Sequence, residues 1–111
     1  MIEKPWGSEE LIESNDHYTM KKLFMKKDHS CSLQYHNEKH ETVYVLSGKL
    51  LFEVGNSKET LTNIILMPGM SYVIPPKTVH RMNGIEDTYY LEASTSQLDD
   101  VVRLEDKYGR I

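Results

Sequence analysis

Turn signals interrupt this chain at short, regular intervals, and they constrain its fold more than any other feature. Asn15-Asp16-His17, Lys26-Lys27-Asp28-His29, Ser47-Gly48-Lys49, Gly55-Asn56-Ser57 and Pro68-Gly69 are clusters of residues that favour turns. Between them lie runs too brief for ordinary helices: Ser8 to Ser14, Tyr18 to Lys26, Glu41 to Ser47, Leu50 to Val54, Asn63 to Met67, Ser71 to Ile74 and Thr88 to Ser94. A hairpin is expected at Gly55-Asn56-Ser57, returning through Glu59-Thr60-Leu61. About nine short strands at this spacing predict an all-β barrel or jelly roll. The polar end from Asp99 onward reads as a short C-terminal tail or helix, with Val101, Val102 and Leu104 packing back onto the barrel.

With 111 residues the chain reads as one domain, 1–111, with room for a single core. No apolar run approaches the roughly 20 residues that span a bilayer, and Met1-Ile2-Glu3-Lys4 lacks the apolar centre of a signal peptide. Cys31 is the single cysteine, so no intrachain disulfide forms, and a reducing cytoplasmic setting is expected. A formal charge of −4 without a Lys/Arg stripe argues against nucleic acid and leaves room for a small anionic substrate held by a few local cations.

The chemistry concentrates between Asp28 and Gly48 and around His80. Gln34 and His36 are two apart, so on a strand they leave the same face. Glu41 is five beyond His36, an odd step, so Asn37-Glu38-Lys39-His40 must turn the chain before Glu41 opens the next strand. Val43 and Val45 share the parity of Glu41 and make the rest of its face apolar, while Tyr44 and Leu46 lie opposite. Gln34, His36, Glu41 and the distant His80 together make a pocket for one divalent metal ion; zinc, manganese, iron, cobalt and nickel all suit mixed N/O ligation. Glu38 and His40 share parity with His36, so either replaces Glu41 or Gln34 if the turn falls elsewhere.

These residues resemble the two motifs of the cupin superfamily. The first reads Asp28-x5-Gln34-x-His36-x4-Glu41-x6-Gly48; the second reads Gly69-x5-Pro75-x-Lys77-x2-His80, with Asn83 one residue early. Asp28 and Lys77 stand where the superfamily has Gly, and Asp tolerates a left-handed backbone better than most residues. Within the superfamily the chain is similar to the C-terminal mannose-6-phosphate isomerase domain of type II isomerase/guanylyltransferase proteins. Lys4-Pro5-Trp6-Gly7, Ser32-Leu33-Gln34 and the closing Val102-Arg103-Leu104-Glu105-Asp106-Lys107-Tyr108-Gly109-Arg110 carry that likeness.

The resemblance implies a metal-dependent isomerase interconverting mannose 6-phosphate and fructose 6-phosphate. Such a reaction moves a proton between C1 and C2 through an enediolate, so it needs a Lewis acid and a base tuned toward neutrality. Glu38, His40 and Glu92 are the candidates for that base. The phosphate calls for an Arg fork, and there are three Arg residues. Arg81 follows His80 and should point away, which leaves Arg103 and Arg110 in a tail folded over the barrel mouth. Trp6 either caps the barrel end or forms a lid on the pocket. A non-catalytic sugar-binding cupin and a metal-dependent oxygenase are the competing readings, since one fold serves many reactions. The guanylyltransferase partner is expected to be absent, and exposed strand edges predict a homodimer.

Overall fold

The computed structural model describes residues 1–111 as eleven strands without a helix. They are β1 (Ile2–Lys4), β2 (Gly7–Ser14), β3 (Thr19–Met25), β4 (Leu33–Tyr35), β5 (Glu41–Ser47), β6 (Leu50–Gly55), β7 (Thr62–Leu66), β8 (Ser71–Ile74), β9 (Val79–Gly84), β10 (Thr88–Ser94) and β11 (Val102–Glu105). A six-stranded sheet in the order β1-β2-β3-β10-β5-β8 faces a five-stranded sheet in the order β11-β4-β9-β6-β7. No helix is long and apolar enough to cross a membrane.

Side-chain alternation places the core between the sheets. On β5, Val43 and Val45 are fully buried with Glu41, while Tyr44 and Leu46 face outward. On β6, Leu50, Phe52 and Val54 turn inward and cluster with Met82 of the same sheet and with Met25, Ile74 and Tyr90 from the opposing sheet. Trp6 joins this cluster at 5% exposure, so it is packed into the barrel rather than swinging free over it.

The turns explain the two departures from the cupin glycine pattern. Asp28 and Lys77 both have left-handed backbones, with φ of 65° and 64°. Thr78 donates to the Pro75 carbonyl, closing a turn in which Pro76 precedes Lys77. Pro followed by a positive-φ residue is the type II pattern. Gly48 has a firmer requirement: at φ 92°, an added Cβ would lie 2.3 Å from the Asp87 carbonyl oxygen.

Two sequence expectations need correction. The tail is not helical: β11 pairs antiparallel with β4, placing Val102 opposite Tyr35 and Arg103 opposite Gln34. β4 is only a three-residue strand with one register pair to β9, and its free edge carries backbone groups that need partners. Glu59-Thr60-Leu61 is not a strand either. Val54 pairs with Thr62, and the connection is a wider loop closed by Thr60 N–H on the Ser57 carbonyl at 3.2 Å. One element went unforeseen: β1 folds onto β2 about Pro5-Trp6, with Lys4 opposite Gly7.

Candidate metal centre

His36 lies just beyond β4, His80 is on β9, and Glu41 opens β5 in the other sheet. The turn Asn37–His40 therefore carries the chain from one sheet to the other, and the three side chains meet between them. His36 Nε2 is 2.9 Å from Glu41 Oε1, and His80 Nε2 is 3.3 Å from the same oxygen. One donor atom from each of the three falls within 4.8 Å of the others, and all three residues are buried. Gln34 sits beside His80 in register and lines the same cavity, its Oε1 accepting Ser32 Oγ at 2.5 Å.

The outer nitrogens show what this cluster suits. His36 Nδ1 faces the Asp100 carbonyl at 2.5 Å, and His80 Nδ1 faces the Thr78 carbonyl at 2.9 Å. A carbonyl requires an N–H from each ring, so a neutral ring then turns a bare Nε2 lone pair toward the Glu41 carboxylate. Lone pairs of two rings converging on one carboxylate oxygen call for a cation among them. Backbone-tethered histidines of this kind are the usual outer support of a metal ligand. Glu41 Oε2 is buried without a hydrogen-bond partner, which leaves it free for coordination. The residues present thus fit a divalent ion.

Next to this cluster lies a second charged group that the sequence did not reveal. Lys39 Nζ stands 3.6 Å from Glu41 Oε2 and 3.4 Å from Glu92 Oε2, all three side chains being largely buried. Burial works against the Glu41 carboxylate, but its close contacts with the His36 and His80 rings and the Lys39 charge outweigh it and hold the group well below its ordinary range. Burial likewise opposes charge on His36, yet the Glu41 contact raises its basicity. Glu92 goes the other way. Burial first, and then the Glu41 charge, push its carboxyl up to about 7, with Lys39 acting in opposition. Cys31, in the same cavity, is pushed up to about 11 by burial and is an inert thiol at neutral pH.

The cavity has a volume of about 500 Å³ and brings together Gln34, His36, Glu41, His80, Glu92, Arg103 and Arg110. Glu38 and His40 do not line it, and both are exposed on the turn. The two tail arginines differ. Arg103 continues the cross-strand row formed with Gln34 and His80, and its Nε is buried without a partner. Arg110 is held by Asp106 through Nε at 2.9 Å and a second nitrogen at 2.8 Å. Arg81 points away from the cavity and pairs with Glu53 at 2.9 Å. Lys39 was hidden in a polar turn, although its step of two before Glu41 was a usable signal; nothing local marks Asp100.

A family model described as mannose-6-phosphate isomerase C-terminal matches residues 1–106. Xanthan biosynthesis protein XanB of Xanthomonas campestris pv. campestris is 31% identical over 114 residues, covering 98% of this chain and 23% of that protein. Mannose-1-phosphate guanylyltransferase of Escherichia coli is 27% identical over 115 residues, covering 99% of this chain and 23% of that protein. The chain thus spans less than a quarter of the length of these relatives. Among solved structures, Bacillus subtilis oxalate decarboxylase, a protein with Mn(II) centres, superposes with a TM-score of 0.79 at 20% identity, over 93% of this chain and 29% of that one. That likeness speaks to the fold alone. The chain belongs to the family of mannose-6-phosphate isomerase C-terminal domains, folded as a small cupin.

Proposed function

We propose that this domain holds one divalent metal ion through His36, Glu41 and His80, with Gln34 beside them, and interconverts mannose 6-phosphate and fructose 6-phosphate. One observation carries the reading beyond family membership. Glu92 lines the same cavity as the candidate ligands, is linked to them through Lys39, and is made a weaker acid by its burial there. A base with a pKa near the working pH is what proton transfer between C1 and C2 requires. When bound, the ion supplies Lewis-acid polarisation of the sugar oxygens at those carbons. Glu92 takes the proton from one carbon and returns it to the other, while the hydroxyl proton on the first carbon's oxygen passes to the carbonyl oxygen of the second. Lys39 holds Glu92 at a fixed distance from Glu41, so the two carboxylates do not share one role. Arg103, with its unpartnered Nε, supplies the fork for the phosphate.

The test is an isomerisation assay on mannose 6-phosphate with the chain reconstituted separately with manganese, zinc and cobalt. Activity is expected with at least one metal and is lost on chelation. Glu92→Gln should lower kcat by about 10²–10⁴-fold with metal content unchanged, whereas His36→Ala and His80→Ala should lose the metal itself. Binding of mannose 6-phosphate without turnover under any metal would replace this reading with a sugar-binding role.

A further inference from the structure

Four consecutive backbone N–H groups, those of Asn37, Glu38, Lys39 and His40, all donate to side chains of one distant segment. Asp100 accepts three of them: Asn37 on Oδ1 at 2.9 Å, and Glu38 and Lys39 on Oδ2 at 2.7 and 2.9 Å. Thr95 Oγ1 accepts the fourth, from His40, at 3.0 Å, and the Thr95 N–H returns a bond to the His40 carbonyl. The Asp100 carbonyl is also the partner of His36 Nδ1. A residue 64 positions away thus orients one candidate ligand through its backbone and braces the turn leading to the next through its carboxylate.

We infer that Asp100 is a positioning residue for the metal centre. Without its carboxylate, Asn37–Lys39 has three amides with no other protein partner, and a polar turn of that kind relaxes toward water. His36 and Glu41 flank the turn, so their separation depends on its shape. The bidentate cradle sets the distance between the two ligands, and Lys39 is aimed by the same bonds. Asp100 also lies two residues before the start of β11, so docking of the strand that carries Arg103 and assembly of the metal ligands form one unit. Outer-shell partners of metal ligands usually contribute 10–100-fold in metal affinity. This inference rests on the metal reading above.

Metal affinity, measured by chelator competition with Zn²⁺ and Co²⁺, tests it on the full chain, together with the visible spectrum of the Co²⁺ form. Asp100→Ala should bind metal about 10–100-fold more weakly and shift the cobalt bands, while far-UV circular dichroism stays β-rich. Asp100→Asn keeps one acceptor oxygen but turns an NH₂ toward the donors, so it should fall between wild type and Asp100→Ala. Wild-type affinity and spectrum in folded Asp100→Ala would overturn the inference. If that variant does not fold, the same result in Asp100→Asn overturns it. Failure of the wild-type chain to bind either metal would instead remove the metal reading, and this inference with it.

Discussion

Lys39→Met tests the charge arrangement most directly, because it keeps the stem and removes only the ammonium. In the folded chain that ammonium stands 3.6 Å from one Glu41 oxygen and 3.4 Å from one Glu92 oxygen, with side-chain exposures of 7% for Lys39, 2% for Glu41 and 12% for Glu92. Each contact is worth about 4–5 kcal/mol of Coulomb attraction at an effective dielectric near 20. Desolvation offsets most of that, but removing one partner of a buried pair leaves charge uncompensated and costs about 3–5 kcal/mol. A domain of this size has a total stability of about 6–17 kcal/mol, so the loss is large. At about 4 °C per kcal/mol, the melting temperature should fall by about 12–20 °C. The assay is thermal unfolding of chelator-treated protein at pH 8. Glu92 is the group most readily neutralised, its carboxyl already lying near 7. The deficit should therefore shrink at pH 6, and adding Glu92→Gln should recover much of it at pH 8. A melting temperature within about 2 °C of wild type at pH 8 would falsify the account.

Glu92 is raised from 4.5 to about 7, so its native form keeps a proton that the unfolded chain releases. Its contribution is full below about pH 4.5 and is lost as pH rises through about 7; chelator-treated protein should lose up to about 3 kcal/mol across that window, and Glu92→Gln should flatten the slope seen by denaturant unfolding. Arg103→Ala should weaken mannose 6-phosphate binding by about tenfold to a hundredfold, the worth of one charge-assisted pair, with metal content and mannose binding unchanged. Arg110→Ala, whose guanidinium Asp106 already holds, should do less; calorimetry showing equal losses refutes that ranking. Lys77→Gly should raise stability by about 0.5–1 kcal/mol by relieving a left-handed backbone at φ 64°, and an unchanged melting temperature speaks against strain there. The outward face of the six-stranded sheet exposes Tyr44, Leu46, Val73 and Tyr89, and a two-fold dimer across it is expected; a light-scattering mass near 12.9 kDa for wild type excludes it.

What the sequence by itself determined is what short-range sterics can write. Turn residues at short intervals left room only for strands between Ser8 and Ser94, while the end from Asp99 still read as a tail or helix, and parity along Glu41–Ser47 separated Val43 and Val45 from Tyr44 and Leu46. Asp28 and Lys77, standing at glycine positions of the motif, do adopt the backbone that glycine would. Spacing also singled out His36, Glu41 and His80, which the fold brings together. Tertiary structure decided the rest, because those properties belong to pairs of distant segments. The tail became β11 because the short strand β4 had an open edge to fill, and no local pattern records that need. Glu92 separated from Glu38 and His40 only when β10 placed it inside the cavity and the turn left the other two in solvent. Lys39 acquired its two carboxylate partners, and Asp100 its three amides, through chain separations that periodicity cannot span. Arg103 and Arg110 are alike in sequence, and only the fold gave Asp106 to one and left the other's Nε unpartnered. Local conformation follows from each residue and its neighbours, whereas burial and charge pairing follow from closing the barrel.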